Sequence, residues 1–145
     1  MNVTPYLCYE GRCEEALQFY RERLDAKIDA LMRFSEAPES PDASAGCGEM
    51  PPNVTGEKVM HASFRIGDSM LMASDGRCTG EARFEGIALT IQARDDAHAE
   101  QLFAALSDGG QVQMPLEQTF FASRFGMLAD RFGVGWMIIS DPSKA

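Results

Sequence analysis

The polar side chains with the clearest chemical potential lie on one alternating stretch of the chain. Within residues 58–66 apolar and polar side chains alternate, so His61, Ser63 and Arg65 share one face of a predicted strand. An imidazole there could act as a general base or as a hydrogen-bond donor to a ligand. The alternative is a structural histidine satisfied by a neighbouring carbonyl group, because alternation does not say which face meets solvent. The sequence does not identify a catalytic residue, and His61 is the candidate for that role.

A second candidate for ligand binding is a guanidinium in a repeated Arg-Phe-Gly sequence, which begins at Arg124 and again at Arg131. Arg124 could hold an anionic substrate through its fork of N–H donors. The alternative is a salt bridge to one of the 22 acidic residues of the chain.

Aromatic and methionine side chains form the remaining candidates. Phe120 and Phe121 lie on a predicted loop and could pack across a dimer interface, belong to the core or contact a ligand. Nine methionines, Met72 and Met137 among them, could line an adaptable apolar cavity or simply fill the core. The chain contains neither a nucleophile-elbow motif nor paired carboxylates at a recognisable catalytic spacing, and a Cys-His pair stays open.

Composition narrows the class of protein. A chain of 145 residues with 45% hydrophobic residues is long enough for one domain with a real core. Its formal charge of -9 argues against nucleic-acid partners and anionic membranes, and no apolar run reaches membrane length. We see no secretory signal at the N-terminus, so we expect a cytoplasmic protein. Its cysteines form no CxxC motif, and we expect free thiols at Cys8, Cys13, Cys47 and Cys78.

The first half of the chain predicts one strand, one helix and three further strands. The strands are expected at residues 3–9, 26–34, 58–66 and 69–74, and the helix at residues 13–24. Residues 35–56 contain four of the seven prolines and no basic residue, which is typical of a long surface loop. Such a loop is either functional or a poorly ordered insertion.

The second half repeats this order. Strands are expected at residues 86–92, 112–116, 123–129 and 135–140, and Asp95 or Asp96 can cap a helix over residues 97–107. We therefore predict an α+β fold of two βαβββ units, at about 1–76 and 84–141, within a single domain. Its curved mixed sheets would surround a cup, with the helices on the convex faces. The period of two places Gly86, Ala88 and Thr90 towards the cup.

Short motifs along nearly the whole chain carry a resemblance. They are Pro5-Tyr6-Leu7, Ala16-Leu17-Gln18-Phe19-Tyr20, Lys58-Val59-Met60-His61-Ala62, residues 67–75, Met114-Pro115-Leu116 and residues 125–136. With the double βαβββ pattern, they resemble the PhnB-like family of the vicinal oxygen chelate superfamily. That superfamily includes glyoxalase I, extradiol dioxygenases and bleomycin or fosfomycin resistance proteins.

The resemblance implies a position for a metal but not the ligands for one. Members usually bind a divalent metal in the cup through His or Glu, one from each of four strands. The corresponding positions fall on Pro5, Met72, Gly86 and Met137, which offer neither carboxylate nor imidazole. We therefore expect no metal at the usual site and no cofactor. PhnB-like proteins often carry a demethylubiquinone methyltransferase name, but no glycine-rich turn typical of adenosyl-cofactor binding follows a strand here.

Three functional hypotheses follow from the residues and the resemblance. The first is a homodimer that binds a small, largely apolar molecule in a metal-free cup. Its candidate ligand-binding residues are His61, Met72, Thr90, Phe121, Arg124 and Met137. The second is an enzyme of the isomerase, lyase or oxygenase type that uses a non-standard site with His61 and Arg124. The third is a dimer that is itself the functional unit, with no ligand.

Overall fold

The computed structural model of the chain describes residues 1–36, 56–76 and 81–141. These residues form two compact units, Met1–Ala82 and Arg83–Ala145, and each unit is described by itself. Among the described residues, neither helix combines the length and the apolar character that crossing a membrane would need.

The described residues of the first unit form four strands and one α-helix. In chain order these are β1 (Tyr6–Cys8), α1 (Cys13–Leu24), β2 (Lys27–Arg33), β3 (Val59–Ile66) and β4 (Ser69–Ser74), with a short 3-10 turn at Phe34–Glu36. The sheet order is β1-β4-β3-β2. β1 runs parallel to β4, and the other neighbours are antiparallel, so the sheet is mixed.

The helix α1 covers one face of this sheet. Its apolar stripe is buried, and the ring of Tyr20 stacks on Phe64 of β3 with the ring centroids 6.1 Å apart. The helix ends where Asp25 adopts the left-handed conformation and its backbone N–H donates to the Tyr20 carbonyl. The core of the first unit therefore lies between α1 and the sheet.

The second unit repeats the arrangement. Its elements are β5 (Leu89–Gln92), α2 (Asp96–Ser107), β6 (Gln111–Glu117), β7 (Arg124–Ala129) and β8 (Gly135–Ser140). The sheet order is β5-β8-β7-β6, and β5 is parallel to β8. Asp95 caps α2, because its carboxylate accepts a 2.7 Å hydrogen bond from the backbone N–H of His98.

Two close contacts hold the second unit together. An added Cβ at Gly126 would lie 2.7 Å from the Phe103 ring, so α2 packs directly against the backbone of β7. In the β7–β8 turn the buried Asp130 accepts three hydrogen bonds, from the backbone N–H groups of Phe132 and Val134 and from the indole N–H of Trp136. Since all three donors are buried, Asp130 fixes the turn and Trp136 together.

The predicted α+β, glyoxalase-like fold is confirmed as two four-stranded mixed sheets, each with one helix. The helix α1 has the predicted bounds. The prediction of a strand at 86–92 is wrong for residues 86–88, because β5 begins at Leu89. Gly86 has a φ of +79° and Ile87 is 63% exposed, so the chain is still turning before β5 begins at Leu89. Most of the loop predicted at 35–56, residues 37–55, lies outside the described residues, as do Cys47 and Cys78.

Candidate functional site

Each sheet has one face against its helix, and we call the opposite face the distal face. In the first unit Phe64 marks the helix side, because its ring stacks on Tyr20 of α1. In the second unit Gly126 marks it, because its backbone meets Phe103 of α2. Side chains alternate along a strand and paired residues share a face, so the register assigns every other strand residue.

The distal face of the first sheet carries a mixed polar and apolar row. Tyr6 of β1 pairs with Met72 of β4, Met72 pairs with Ser63 of β3, and Ser63 pairs with Ala30 of β2. His61 lies two residues before Ser63 and therefore points to the same face. It pairs with Met32 of β2, whose side chain is 41% exposed.

Tyr6 and His61 form a polar contact across this face. The Tyr6 hydroxyl lies 3.1 Å from Nδ1 of His61, and the ring centroids are 5.6 Å apart. β4 lies between β1 and β3, so the tyrosine side chain reaches over β4 to the histidine. Both residues are half-buried. The structure therefore brings His61 together with a phenol that the sequence analysis did not single out.

The distal face of the second sheet carries a row of thioethers. Thr90 of β5 pairs with Met137 of β8, Met137 pairs with Met127 of β7, and Met127 pairs with Met114 of β6. Three methionines thus occupy adjacent positions across three strands, and Met114 is 44% exposed. Flexible, polarisable side chains of this kind adapt to apolar partners of different shape.

An aromatic cluster adjoins this methionine row. Phe125 of β7 pairs with Ile139 and lies on the distal face beside Met127. Phe121 packs edge-on against Phe125 and against Phe120, with ring centroids 5.1 Å apart in both pairs. Phe120 is fully exposed and Phe121 is 40% exposed. Phe121 therefore lies at the margin of the distal face and continues its apolar surface.

Arg124 lies on the other side of the second sheet. It pairs with Ser140, on the face that α2 covers, and its guanidinium is 3.8 Å from Asp96 and 3.6 Å from Glu100 of that helix. A hydrogen bond from Ser123 is the main reason that the pKa of Asp96 is lowered, and Ser140 and Arg124 add to the effect. This geometry favours the salt-bridge interpretation of Arg124, and we leave it out of the candidate site.

The four superfamily ligand positions do not form a site for a hard metal. Pro5 precedes β1, and its carbonyl accepts a 2.9 Å hydrogen bond from the backbone N–H of Met72. Met137 contributes a thioether, and Gly86 lies in the turn before β5. A proline, a glycine and two thioethers do not fit a divalent metal that needs carboxylate or imidazole ligands. Within residues 1–36, 56–76 and 81–141 no cluster of three His, Cys, Asp or Glu side chains could hold a metal ion.

The described cysteines offer no activated nucleophile. Cys13 is fully buried, and burial, together with the charge of Asp75, raises the pKa of its thiol far above neutrality. The thiol therefore stays protonated at neutral pH, which removes its nucleophilic form. Cys8 lies half-buried at the end of β1 and forms no disulfide bond with another described cysteine.

Comparisons with known proteins agree with this architecture. A family model described as 3-demethylubiquinone-9 3-methyltransferase matches residues 1–139. The chain is 32% identical over 138 residues to protein YjdN of Escherichia coli (strain K12), which covers 95% of this chain and 94% of that protein.

Solved structures extend the similarity to the fold. Protein PA1353 from Pseudomonas aeruginosa is 36% identical, with a TM-score of 0.79 over 97% of this chain and 98% of its own. A PhnB protein from Bacillus cereus, described as a putative 3-demethylubiquinone-9 3-methyltransferase, is 25% identical, with a TM-score of 0.75 over 97% and 99%. The fosfomycin resistance protein FosX from Mesorhizobium loti is 12% identical with a TM-score of 0.60 over 96% and 90%, and shares the fold alone.

Proposed function

Since the chain belongs to the PhnB-like family of the vicinal oxygen chelate superfamily, we propose that it binds a small, largely apolar molecule on a distal sheet face. The observation that carries this proposal is the row of Met137, Met127 and Met114 in register across three adjacent strands. We propose further that the protein acts as a cytoplasmic homodimer and that binding needs no metal.

The composition of the methionine row supports an apolar ligand. Thioethers offer dispersion contacts and only weak hydrogen-bond acceptors, so they discriminate poorly among polar groups. Thr90 is the polar member at the end of the row, and Phe125 extends the apolar surface along β7. A surface that is mostly apolar with a few polar anchors is typical of small-molecule binding sites.

The methyltransferase description of the family does not match this chain's local chemistry. In nucleotide-binding folds, a glycine-rich turn leaves the N-terminus of the first helix free to face the cofactor. Here the turn before α1 contains one glycine, Gly11. The backbone N–H of Cys13 at the helix start donates to the internal carboxylate of Asp75 at 2.7 Å. We therefore propose no adenosyl-cofactor site at α1.

An enzyme with a non-standard site is the second candidate function. The contact between Tyr6 and His61 favours it, because a phenol and an imidazole in hydrogen-bond contact can together move a proton. Arg124 has no part in this version, since its guanidinium faces Asp96 and Glu100 of α2. Any turnover would therefore depend on His61 and not on an arginine anion clamp.

The aromatic cluster supports the proposed homodimer. Phe120 is fully exposed at the tip of the β6–β7 loop, and Phe121 and Phe125 adjoin it. Exposed aromatic groups of this kind are enriched at protein interfaces and costly to leave in water. A second copy of the chain is the partner that the family resemblance implies.

The proposed function is tested by metal analysis and ligand screening on the same preparation. We expect substoichiometric Mn, Fe, Ni and Zn by mass spectrometry, and thermal stabilisation by apolar metabolites but not by S-adenosylmethionine. The Met137→Gln variant should lose that stabilisation, whereas Val112→Thr, which changes a half-exposed residue opposite Leu128, should keep it. A stoichiometric, tightly bound metal or stabilisation that survives Met137→Gln would overturn the proposal.

A further inference from the structure

The hydrogen bond between Tyr6 and His61 can be donated by either residue, and the donor determines whether Nε2 of His61 offers a ligand an N–H or an acceptor nitrogen. A neutral imidazole carries one N–H and one acceptor nitrogen, so a contact at Nδ1 decides the role of Nε2. If the tyrosine hydroxyl donates to Nδ1, the hydrogen stays on Nε2. If Nδ1–H donates to the tyrosine oxygen, Nε2 becomes the acceptor.

The chemistry of the two groups favours donation by the tyrosine. A phenol O–H is a good donor and its ring-conjugated oxygen a poor acceptor, whereas the unprotonated imidazole nitrogen is a strong acceptor. The 3.1 Å separation between the hydroxyl oxygen and Nδ1 allows this bond. Among the residues that the structure describes, none is hydrogen-bonded to Nε2 of His61.

We propose that Tyr6 is a positioning residue that holds His61 as its Nε2–H tautomer, and that this N–H binds a neutral carbonyl oxygen of the ligand. The proposal rests on the proposed ligand-binding function and adds the chemical class of the ligand to it. Nothing in the register of the strands requires a tyrosine at this position, because an apolar residue would pair equally well with Met72.

The surroundings of His61 define the rest of the ligand. Met32 pairs with it on β2, and Met72, which pairs with Ser63, lies diagonally from it on the same face of β4, so two thioethers share this face with the imidazole. The N–H is therefore a polar anchor within an apolar surface, which suits an aromatic or aliphatic ketone, ester or amide.

The charges of the protein favour a ligand with a neutral hydrogen-bond acceptor over an anionic ligand. On β3 the cationic side chain that shares the face of His61 is Arg65, whose guanidinium binds both carboxylate oxygens of Asp29 at 2.9 and 3.0 Å. The chain as a whole carries a formal charge of -9, which repels anions at long range. An imidazole N–H beside a guanidinium that is already paired is a weaker site for a carboxylate than an unpaired arginine would be.

The tautomer can be measured without any ligand. The chain contains two histidines, and ¹⁵N-edited NMR of the rings near pH 8.5, well above the ordinary histidine pKa of about 6.5, reports which nitrogen carries hydrogen. His98 is an internal reference, because its Nδ1 accepts a 3.1 Å hydrogen bond from the backbone N–H of Arg94 and Nε2 must carry the hydrogen. His98→Gln assigns the two spectra.

We expect His61 to show the same tautomer as His98. In Tyr6→Phe, which removes only the hydroxyl, the Nδ1 resonance of His61 should shift towards that of an unbonded nitrogen, and the spectrum of His98 should not change. A Nδ1–H tautomer in the wild type, or a His61 spectrum that Tyr6→Phe leaves unaltered, would overturn the positioning role.

Three probes with one ring system test the ligand class. We would titrate 2-acetylnaphthalene, 2-ethylnaphthalene and 2-naphthoate, which present a neutral carbonyl, no acceptor and a carboxylate. The ketone should bind about fivefold more tightly than the hydrocarbon, as one hydrogen bond supports, and should perturb Nε2–H of His61. His61→Phe should abolish the preference, and Tyr6→Phe should reduce it, with thermal midpoints confirming that both variants fold.

The outcomes separate this inference from the proposed function. Equal affinity for ketone and hydrocarbon would overturn the inference and leave apolar-ligand binding standing. Preference for the carboxylate would overturn the neutral class of ligand. Failure of all three probes to bind would count against both the inference and the proposed function.

Discussion

The carboxylate of Asp75, the residue that follows β4, caps the start of α1, because its Oδ1 accepts a 2.7 Å hydrogen bond from the backbone N–H of Cys13. Its Oδ2 accepts a 2.6 Å bond from the backbone N–H of Val59, where β3 begins. Arg12 occupies the N-cap position and provides no side-chain cap of its own. One buried carboxylate therefore joins the start of α1 to the start of β3.

Asp75→Asn should destabilise the protein by about 1–3 kcal/mol, because an amide has one acceptor oxygen and leaves a buried backbone N–H without its acceptor. The free energy of unfolding in urea measures this. Asp68→Asn, at an exposed turn residue, is the matched control and should change stability by less than about 0.5 kcal/mol. Equal effects of the two substitutions would show that the carboxylate of Asp75 does not stabilise α1.

The hydrogen bond from Ser123 to Asp96 should give the second unit a defined acid sensitivity. This bond is the main cause of the lowered pKa of Asp96, so its stabilisation is present above the unfolded-state pKa, about 3.9, and is lost as pH falls through the lower folded-state value. Ser123→Ala should therefore be less stable than wild type above about pH 4, and the difference should narrow as the pH falls further.

Ser107→Ala provides the control for this measurement. Its hydroxyl donates to the backbone carbonyl of Ala104, which does not titrate, so its effect on stability should be the same from pH 3 to pH 6. Thermal midpoints across this range would test both variants. A difference between wild type and Ser123→Ala that is constant with pH would contradict the assigned cause.

The close approach of α2 to β7 at Gly126 should make that position intolerant of a side chain. An added Cβ would lie 2.7 Å from the Phe103 ring and 3.0 Å from the Cα of Leu116, so Gly126→Ala should cost about 1–3 kcal/mol of unfolding free energy through overpacking. Adding Phe103→Leu removes the ring and should recover part of the loss. A double variant no more stable than Gly126→Ala would indicate that another contact limits the site.

The exposed phenylalanine in the β6–β7 loop should determine the strength of the proposed dimer. Phe120→Glu removes a fully exposed ring and adds a charge, so it should raise the dimer dissociation constant at least tenfold, about 1.4 kcal/mol. Gln118→Glu adds the same charge two residues away and should leave the constant within about twofold. Sedimentation equilibrium measures both, and an unchanged constant for Phe120→Glu would place the interface elsewhere.

The sequence predicted the elements whose signals are local. The apolar stripe of α1 and its acidic first turn predicted residues 13–24, which are its observed bounds. Asp95, one of two proposed caps of α2, is the residue that caps it. The hairpin of β3 and β4 was predicted from alternation over residues 58–66 and a tight turn at Gly67-Asp68, and Gly67 has the positive φ of +59° that such a turn needs. These features depend on neighbours within a few residues.

The contact between Tyr6 and His61 and the face on which Arg124 lies could not be predicted in this way, because both depend on pairings between residues far apart in the sequence. Tyr6 and His61 are 55 positions apart, and their contact requires β1 to run parallel to β4 while β4 pairs with β3. Arg124 could not be assigned to a face from alternation alone, because the side covered by α2 is decided by packing at Gly126. The apolar residues 87–89 suggested an earlier strand start, but Gly86 at positive φ keeps the chain turning.

The central claim, that a small apolar molecule binds at the methionine row on the distal face of the second sheet, is tested most directly by NMR of protein with ¹³C-labelled methionine methyl groups. On titration with 2-ethylnaphthalene, the signals of Met114, Met127 and Met137 should shift and saturate together. Met60, which is 8% exposed, should not shift. Shifts confined to other methionines, or none at concentrations that saturate thermal stabilisation, would contradict the claim.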